Sequence, residues 1–285
     1  MGDHVNIRVL STQETKIIAG FAKQEGWNPG LNDAKAFHLA DPNGFWGLFY
    51  GSKLLGTVIS INYDDYFSFI GCLIVDPEFR NGRIGYLLGK HAMDYAGNRN
   101  IGLDGVLDKV HSYENFGFKL AYRNRRMQGI KTREWTNTPP PMQCSAITEI
   151  PFDEIIDYDL HCFPAPRTAF LSYWLTMHGS HSCAIMDNSI LKGFGTIRKC
   201  SDGYKIGPLF ADNLDVANSI LINLISRIKE GENFFLDIPA ANDAAERLAS
   251  KYGMKEVFAT ARMYTRGEPD IDLDKFFGVT SFELG

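Results

Sequence analysis

Residues 75–88 read Val-Asp-Pro-Glu-Phe-Arg-Asn-Gly-Arg-Ile-Gly-Tyr-Leu-Leu and combine the residue types that hold phosphate. The apolar run Phe69–Val75 has strand character and stops just before Pro77, which cannot donate to a sheet ladder. Two arginines and two glycines follow, and the spacing of Ile84, Leu87, Leu88, Ala92 and Tyr95 predicts a helix starting at about Ile84. A strand, a glycine loop and a helix start leave free backbone N–H groups at the positive end of a helix dipole, where phosphate oxygens bind. Arg80 and Arg83 add charge, and Gly82 and Gly85 let an anion approach the backbone. A plain strand-to-helix connection uses similar residues. The chain has no Gly-x-Gly-x-x-Gly here and no Gly-Lys-Ser/Thr, which disfavours dinucleotide-fold and P-loop phosphate sites.

A second segment, Tyr113-Glu114-Asn115-Phe116-Gly117-Phe118, follows the short strand Gly102–Val106. Gly117 is placed to end a helix in the left-handed conformation, and Phe118 to enter the core. Together the two segments resemble motif A and the Tyr-Glu-x-x-Gly-Phe ending of the GNAT superfamily of acyl-CoA-dependent N-acetyltransferases. Arg80, Ile84 and Gly85 fall on the motif A pattern, while Arg83 stands where the family usually has its first glycine. The resemblance implies a mixed α/β sheet with acetyl-CoA as co-substrate. The N–H groups of Asn81, Gly82, Arg83, Ile84, Gly85 and Tyr86, with Arg80, would hold its pyrophosphate. The pantetheine would pair like an added strand beside Leu73, Ile74 and Val75, and the Leu73 or Ile74 N–H would polarise the thioester carbonyl. Tyr113 would protonate the leaving thiolate, a task that suits a phenol with a pKa near 10, or else it packs at a helix end. The acceptor amine would attack directly, so Cys72 is expected to be a small core residue and not a nucleophile.

The elements that must position these groups occupy residues 1–135. Their expected order is a strand at Ile7–Val9, helices near 12–25 and 33–39, strands at Phe45–Tyr50 and Leu54–Tyr63 joined by a turn at Gly51-Ser52-Lys53, then the motif strand and helix. Thr136-Asn137-Thr138-Pro139-Pro140-Pro141 reads as a stiff linker over 136–143. Beyond it, residues 144–285 repeat the ending of the first half. Leu103-Asp104 returns as Leu236-Asp237, Gly117-Phe118-Lys119 as Gly253-Met254-Lys255, and Arg126-Met127 as Arg262-Met263. Val216, Ala217, Ile220, Leu221, Leu224 and Ile225 make an amphipathic helix in the place of the Ile84 helix. The junction before it, Ile206–Asp215, has no arginine-glycine loop and carries Asp212 and Asp215, which would repel phosphate.

The chain is therefore read as a tandem GNAT-like fold with a catalytic first copy and a diverged second copy. It is similar to a bacterial-type branch of GNAT proteins in Glu25–Gly30, Ile101–Val106, Phe163–Arg167 and Ala261–Tyr264. A fragment ending at Pro139 is expected to keep cofactor binding.

The acceptor is expected to be a primary amine on a small molecule or peptide. Trp27, Trp46 and Tyr63 either line its pocket or pack in the core. Arg167 could reach the cleft and meet a substrate carboxylate, and Glu25, Asp64, Asp65 and Asp104 are either candidates for the general base or helix-end and turn carboxylates. His91 and His111 read as structural. A non-catalytic acyl-CoA sensor and a partner-binding protein are the alternative classes.

The 285 residues suffice for two domains, and 45% hydrophobic with 22% charged residues are globular values. A formal net charge of −5 gives no footprint for nucleic acid. No run approaches the roughly 20 apolar residues of a membrane span, and the first residues lack the parts of a signal peptide. Five scattered cysteines without Cys-x-x-Cys suggest reduced thiols in a cytoplasm and no metal site.

Overall fold

The structure is a computed structural model that describes residues 5–137 and 140–285, with the backbone alone at 136 and 137. The first half contains β1 (Val5–Val9), α1 (Thr15–Gln24), α2 (Asp33–Ala40), β2 (Phe45–Tyr50), β3 (Lys53–Asn62), β4 (Phe67–Val75), α3 (Ile84–Ala96), β5 (Asn100–Val106), α4 (Val110–Glu114) and β6 (Lys119–Ile130). After α5 (Arg133–Asn137) the second half contains β7 (Ser145–Ala146), α6 (Phe152–Cys162), α7 (Thr168–Trp174), β8 (Ser180–Asp187), β9 (Ile190–Lys199) and β10 (Tyr204–Ala211). It continues with α8 (Leu214–Ile225), β11 (Asn233–Pro239), α9 (Asp243–Lys251), β12 (Lys255–Tyr264) and β13 (Phe276–Gly278). The expected linker thus begins inside a helix. Thr138 and Pro139 lie outside the described residues, and by Met142 the chain is tied to α8 through Ser219 Oγ at 3.2 Å.

All strands join one 13-stranded sheet in the order β1-β2-β3-β4-β5-β12-β6-β11-β10-β9-β8-β7, with β13 beside β10. One late strand of each half, β6 and β12, is exchanged. β12 of the second half pairs with β5 of the first, and β6 of the first half pairs with β11 of the second. The two exchanged strands also pair with each other along most of their length.

The repeated dipeptides now have a cause. Arg126 on β6 grips Asp237 on β11 with two bonds of 2.7 Å, and Arg262 on β12 grips Asp104 on β5 at 2.6 and 3.0 Å. Each half lends its arginine to the other half's aspartate. The methionines follow: Met127 packs in the core around α8, and Met263 in the core around α3. Both ion pairs are buried, so removing one partner strands a charge and costs about 3–5 kcal/mol. The fragment ending at Pro139 would lose β12 from β5 and both neighbours of β6. This exchange argues against the expectation that such a fragment keeps cofactor binding.

The sheet's two faces are covered differently. On one side of the first half, Leu88, Ala92 and Ala96 of α3 pack on Leu48, Val58, Ile70 and Leu103. On the other, Ile18 and Ala22 of α1 and Phe37 of α2 cover Phe45, Ile59, Cys72 and Ile74, in one core shared with α6 and α7 of the second half. Phe37 stacks on Trp174 of α7 at 6.0 Å between centroids. The loop between α1 and α2 is bolted to the β9–β10 turn: Asn28 and Asp202 exchange two hydrogen bonds of 2.8 and 2.9 Å, and Leu31 N–H reaches Lys199 O at 3.0 Å.

After β13 the chain threads back between the halves as a fully buried tail over residues 279–285. It runs against two equivalent glycines, in Ile70-Gly71-Cys72-Leu73 of β4 and Ile206-Gly207-Pro208-Leu209 of β10. A Cβ on Gly71 would lie 2.1 Å from the Glu283 carbonyl oxygen, and one on Gly207 would lie 2.3 Å from that of Val279. Both contacts are backbone to backbone and cannot be relieved by a rotamer change. Gly71→Ala is expected to lower stability by about 2–3 kcal/mol. Denaturant unfolding checks this, and an unchanged midpoint would show that the tail does not bear on β4.

Candidate active site

β4 and β5 run parallel and pair only from Phe67↔Asn100 to Ile70↔Leu103. Beyond that point the strands splay, and among the described residues Gly71–Val75 have no strand partner on the β5 side. A bulge causes the split. Two β4 residues, Cys72 and Leu73, face the single β3 residue Val58, and Cys72 sits in the left-handed region at φ 47°. Such a bulge bends its strand and ends the pairing. The exposed backbone edge that results can accept an extended ligand as an added strand.

The predicted anion loop closes one end of this gap. Asp76 caps a short 3-10 turn at Pro77–Phe79 by accepting from Glu78 N–H at 3.0 Å, and Asn81 takes the left-handed turn at φ 65°. α3 begins at Ile84 as expected, and among the described residues no side chain caps its first turn. Its opening N–H groups are therefore free for an anion. An added Cβ on Gly85 would lie 3.7 Å from Val75 Cγ2 and 3.9 Å from Leu73 Cδ2, so the first turn of α3 stands directly over the open edge. Arg80 donates from Nε to Val75 O at 3.0 Å, and its guanidinium is paired with Glu25 at the end of α1. Glu25, one of the expected base candidates, thus belongs to the phosphate end of the gap. These groups fit an acyl-CoA: free N–H donors and cations at one end, an unpaired strand edge along the other.

Tyr113 stands on the β5 side of the same gap. Its ring lies over Gly105, where an added Cβ would be 2.1 Å from the ring, and it packs on the same α3-face core as Leu73, Leu87 and Phe116. Burial, partly offset by the Val106 backbone, pushes its hydroxyl up to about 12, so it carries its proton throughout the neutral range.

On the opposite face of the bulge, α1 and α2 enclose a small cavity of about 20 Å³, lined by Ile18, Ala22, Phe37, Phe45, Cys72 and Glu283 among others. Strand alternation sets its aromatic lining. Phe45 points into it, whereas Trp46 points to the α3 face, 4.3 Å from His91 and 5.5 Å from Tyr95. The pocket-lining option for Trp46 is corrected by that parity. Trp27 offers its backbone carbonyl to Arg126 (2.8 Å) and to Lys205 (3.1 Å). Tyr63 donates to Leu284 O at 2.9 Å and packs on Phe163.

Arg167 cannot meet a substrate carboxylate. Its fully buried guanidinium is held by both oxygens of Asp159 at 2.7 Å and reaches Thr280 Oγ1 at 3.0 Å, so it anchors the tail. The other base candidates lie elsewhere too. Asp104 is spent on Arg262 and Asn124, Asp64 accepts from Tyr66 and Phe67 in the β3–β4 turn, and Asp65 is exposed. Two carboxylates do line the cavity beside the bulge: Asp33, which grips Arg198, and Glu283, which comes from the far end of the sequence. Burial and then the Glu283 charge push the Cys72 thiol well above its ordinary pKa, which leaves it without nucleophilic character.

The second half repeats the splay and fills it. β10 pairs with β11 only from Tyr204↔Phe234 to Ile206↔Leu236, and β13 then lies along β10 at Leu209↔Gly278 and Phe210↔Phe276. Asn213 caps α8 by accepting from the Asp215 and Val216 N–H groups, both at 3.1 Å. Asn242 caps α9 and donates to the carbonyls of Leu273, Asp274 and Phe276, which fastens the filling strand.

Comparison with known proteins agrees with both halves. Residues 12–118 match the acetyltransferase (GNAT) family, and residues 155–278 match the acetyltransferase (GNAT) domain. The holothin acyltransferase of Pseudoalteromonas sp. (strain SANK 73390) is 30% identical over 275 residues, 96% of this chain and 92% of that protein. Among solved structures, a putative acetyltransferase from Pyrococcus horikoshii superposes with a TM-score of 0.81 at 21% identity, covering 99% of this chain and 96% of that one. A tandem GNAT protein from the clavulanic acid biosynthesis pathway superposes with a TM-score of 0.65 at 12% identity, over 92% and 98% of the two chains. With a matching domain in each half and an acyltransferase relative along nearly its whole length, this chain belongs to the GNAT family of acyltransferases, as a tandem of two copies.

Proposed function

We propose that the first half carries the activity, using acetyl-CoA as donor and the primary amine of a small molecule or peptide as acceptor. The contrast between the two splays supports this reading: the first is open beneath an uncapped helix start, and the second is filled by β13 beneath a capped one. In this reading Arg80 and the N–H groups of residues 81–86 bind the pyrophosphate. Leu73–Val75 pair with the pantetheine, and a Leu73 or Ile74 N–H supports the carbonyl oxygen as charge develops on it. Tyr113 returns a proton to the departing thiolate. Five cysteines without a disulfide accord with a reducing compartment such as the cytoplasm.

An acceptor screen with thiol detection tests the donor and the amine class, and it should include holothin, the compound in the name of the relative at 30% identity. Tyr113→Phe is expected to lower turnover by about 10²-fold while acetyl-CoA affinity stays near wild type. Unchanged turnover would make Tyr113 a packing residue, and binding without turnover on any amine would favour an acyl-CoA sensor.

A further inference from the structure

Among the buried carboxylates of the described residues, Glu283 has the fewest claims on its oxygens. Asp33, Asp104, Asp159 and Asp237 each grip an arginine. Asp41 accepts from the Asn43 and Asn62 amides and from the Tyr95 hydroxyl. Glu283 is 5% exposed, and its one hydrogen-bond donor is the neutral Ser281 hydroxyl at 2.5 Å. Its charge is balanced at a distance by Lys205, Arg126 and Arg198, none of which forms a salt bridge with it, so its oxygens keep accepting capacity that a paired carboxylate has spent.

Its place is informative. The Glu283 backbone lies against β4 at Gly71, and its side chain shares the cavity with Cys72, the bulge residue. Leu73, the next residue, faces α3 and the cofactor gap. The carboxylate therefore stands one strand away from the unpaired edge, on the side closed by α1 and α2. The groups around it are Cys72 from β4, Asp33 from α2, Lys205 from β10, Arg126 from β6 with its partner Asp237, and Arg198 from β9. Burial raises its pKa, but Lys205, the Ser281 hydrogen bond, Arg126 and Arg198 more than offset this and hold it below the ordinary carboxylate value. It is thus ionised, and free to accept, at neutral pH.

We infer that Glu283, carried across from the second half, receives the proton of the acceptor amine in the first half's site. The inference rests on the reading of that half as the acyl-transfer unit. The amine lone pair forms the C–N bond to the thioester carbon, and the nitrogen's proton, made acidic by that bond, passes to the Glu283 carboxylate. The C–S electron pair leaves on sulfur, which takes the Tyr113 proton. Solvent then reprotonates Tyr113 and takes the proton from Glu283, so the net products are an amide and free CoA thiol. The cavity's volume is close to that of one water. An amino group is of similar size and would be flanked by the apolar walls of Ile18, Ala22, Phe37 and Phe45.

The test uses the full chain with acetyl-CoA and the best amine from a panel of alkylamines and amino acids. Glu283→Gln, which keeps the side chain's shape, is expected to lower kcat at least 100-fold while acetyl-CoA binding by calorimetry stays within about 3-fold of wild type. Glu283→Ala is expected to regain activity when formate is added, because the small carboxylate fits the space and takes the proton. A brace that only holds the tail would give no formate rescue, and its loss would lower the melting temperature and acetyl-CoA binding together. Wild-type turnover by Glu283→Gln, or a loss of activity in Glu283→Ala that formate does not relieve, overturns the assignment. Absence of amine turnover in the wild type itself would instead overturn the reading on which it rests.

Discussion

Gly85→Glu should abolish acyl-CoA binding and leave the fold intact. The position permits the change, because a Cβ there meets its neighbours only at 3.7 and 3.9 Å. Glutamate also suits the first turn of a helix better than glycine, by propensity and by charge against the dipole. The uncapped N–H groups that make α3 an anion site would instead face a fixed carboxylate. Two unit charges about 4 Å apart near a surface repel by about 4 kcal/mol, which is roughly 10³-fold in affinity for each phosphate charge faced. Calorimetry on the wild type should show one acetyl-CoA site per chain, because the equivalent gap in the second half already holds β13. The variant should show none, with an unchanged or higher melting temperature. A variant that still binds within 10-fold of wild type would remove the pyrophosphate from this loop, and a second site in the wild type would mean that β13 gives way.

Severing the halves is expected to destroy the structure and not merely the activity. A chain ending at Pro139 keeps every residue of the cofactor loop, yet β5 loses its β12 neighbour and β6 loses both of its own. Asp104 and Arg126 would each lose the arginine or aspartate that neutralises it, at about 3–5 kcal/mol apiece, which is comparable to the whole stability of many domains. The α1–α2 cover would also lose α6, α7 and the tail. The fragment should therefore be insoluble, or soluble without cooperative unfolding. Adding the complementary fragment 140–285 during refolding should restore one cooperative transition and acetyl-CoA binding together. A fragment that folds alone and binds acetyl-CoA would show that β6 can return to β5 within its own half.

Local chemistry was legible in the sequence wherever neighbours in the chain are also neighbours in space. The strand, loop and helix start at 69–88 depend on proline, glycine and a helical spacing, all local, and α3 begins at the residue that spacing indicated. Gly117 was expected to be left-handed and has a φ of 90°, and the repeated endings marked two related halves, which the family comparisons show. Trp46 could not be placed from composition, because the face it takes depends on the parity of its strand, and that parity sends Phe45 into the cavity instead. Tertiary structure alone decided where the repeated aspartates and arginines go. Pairing Leu103-Asp104 with Leu236-Asp237 as equivalents says nothing of which arginine each will meet, and the exchange of β6 and β12 gives each the other half's. The acceptor side was hidden for the same reason. Its carboxylate lies more than 200 residues from the β4 bulge in sequence, and it arrives there only because the tail leaves β13, passes Gly207 and comes to rest on Gly71. Spacing along a chain encodes turns and faces, whereas a contact made by threading a segment between two domains is set by the packing of both.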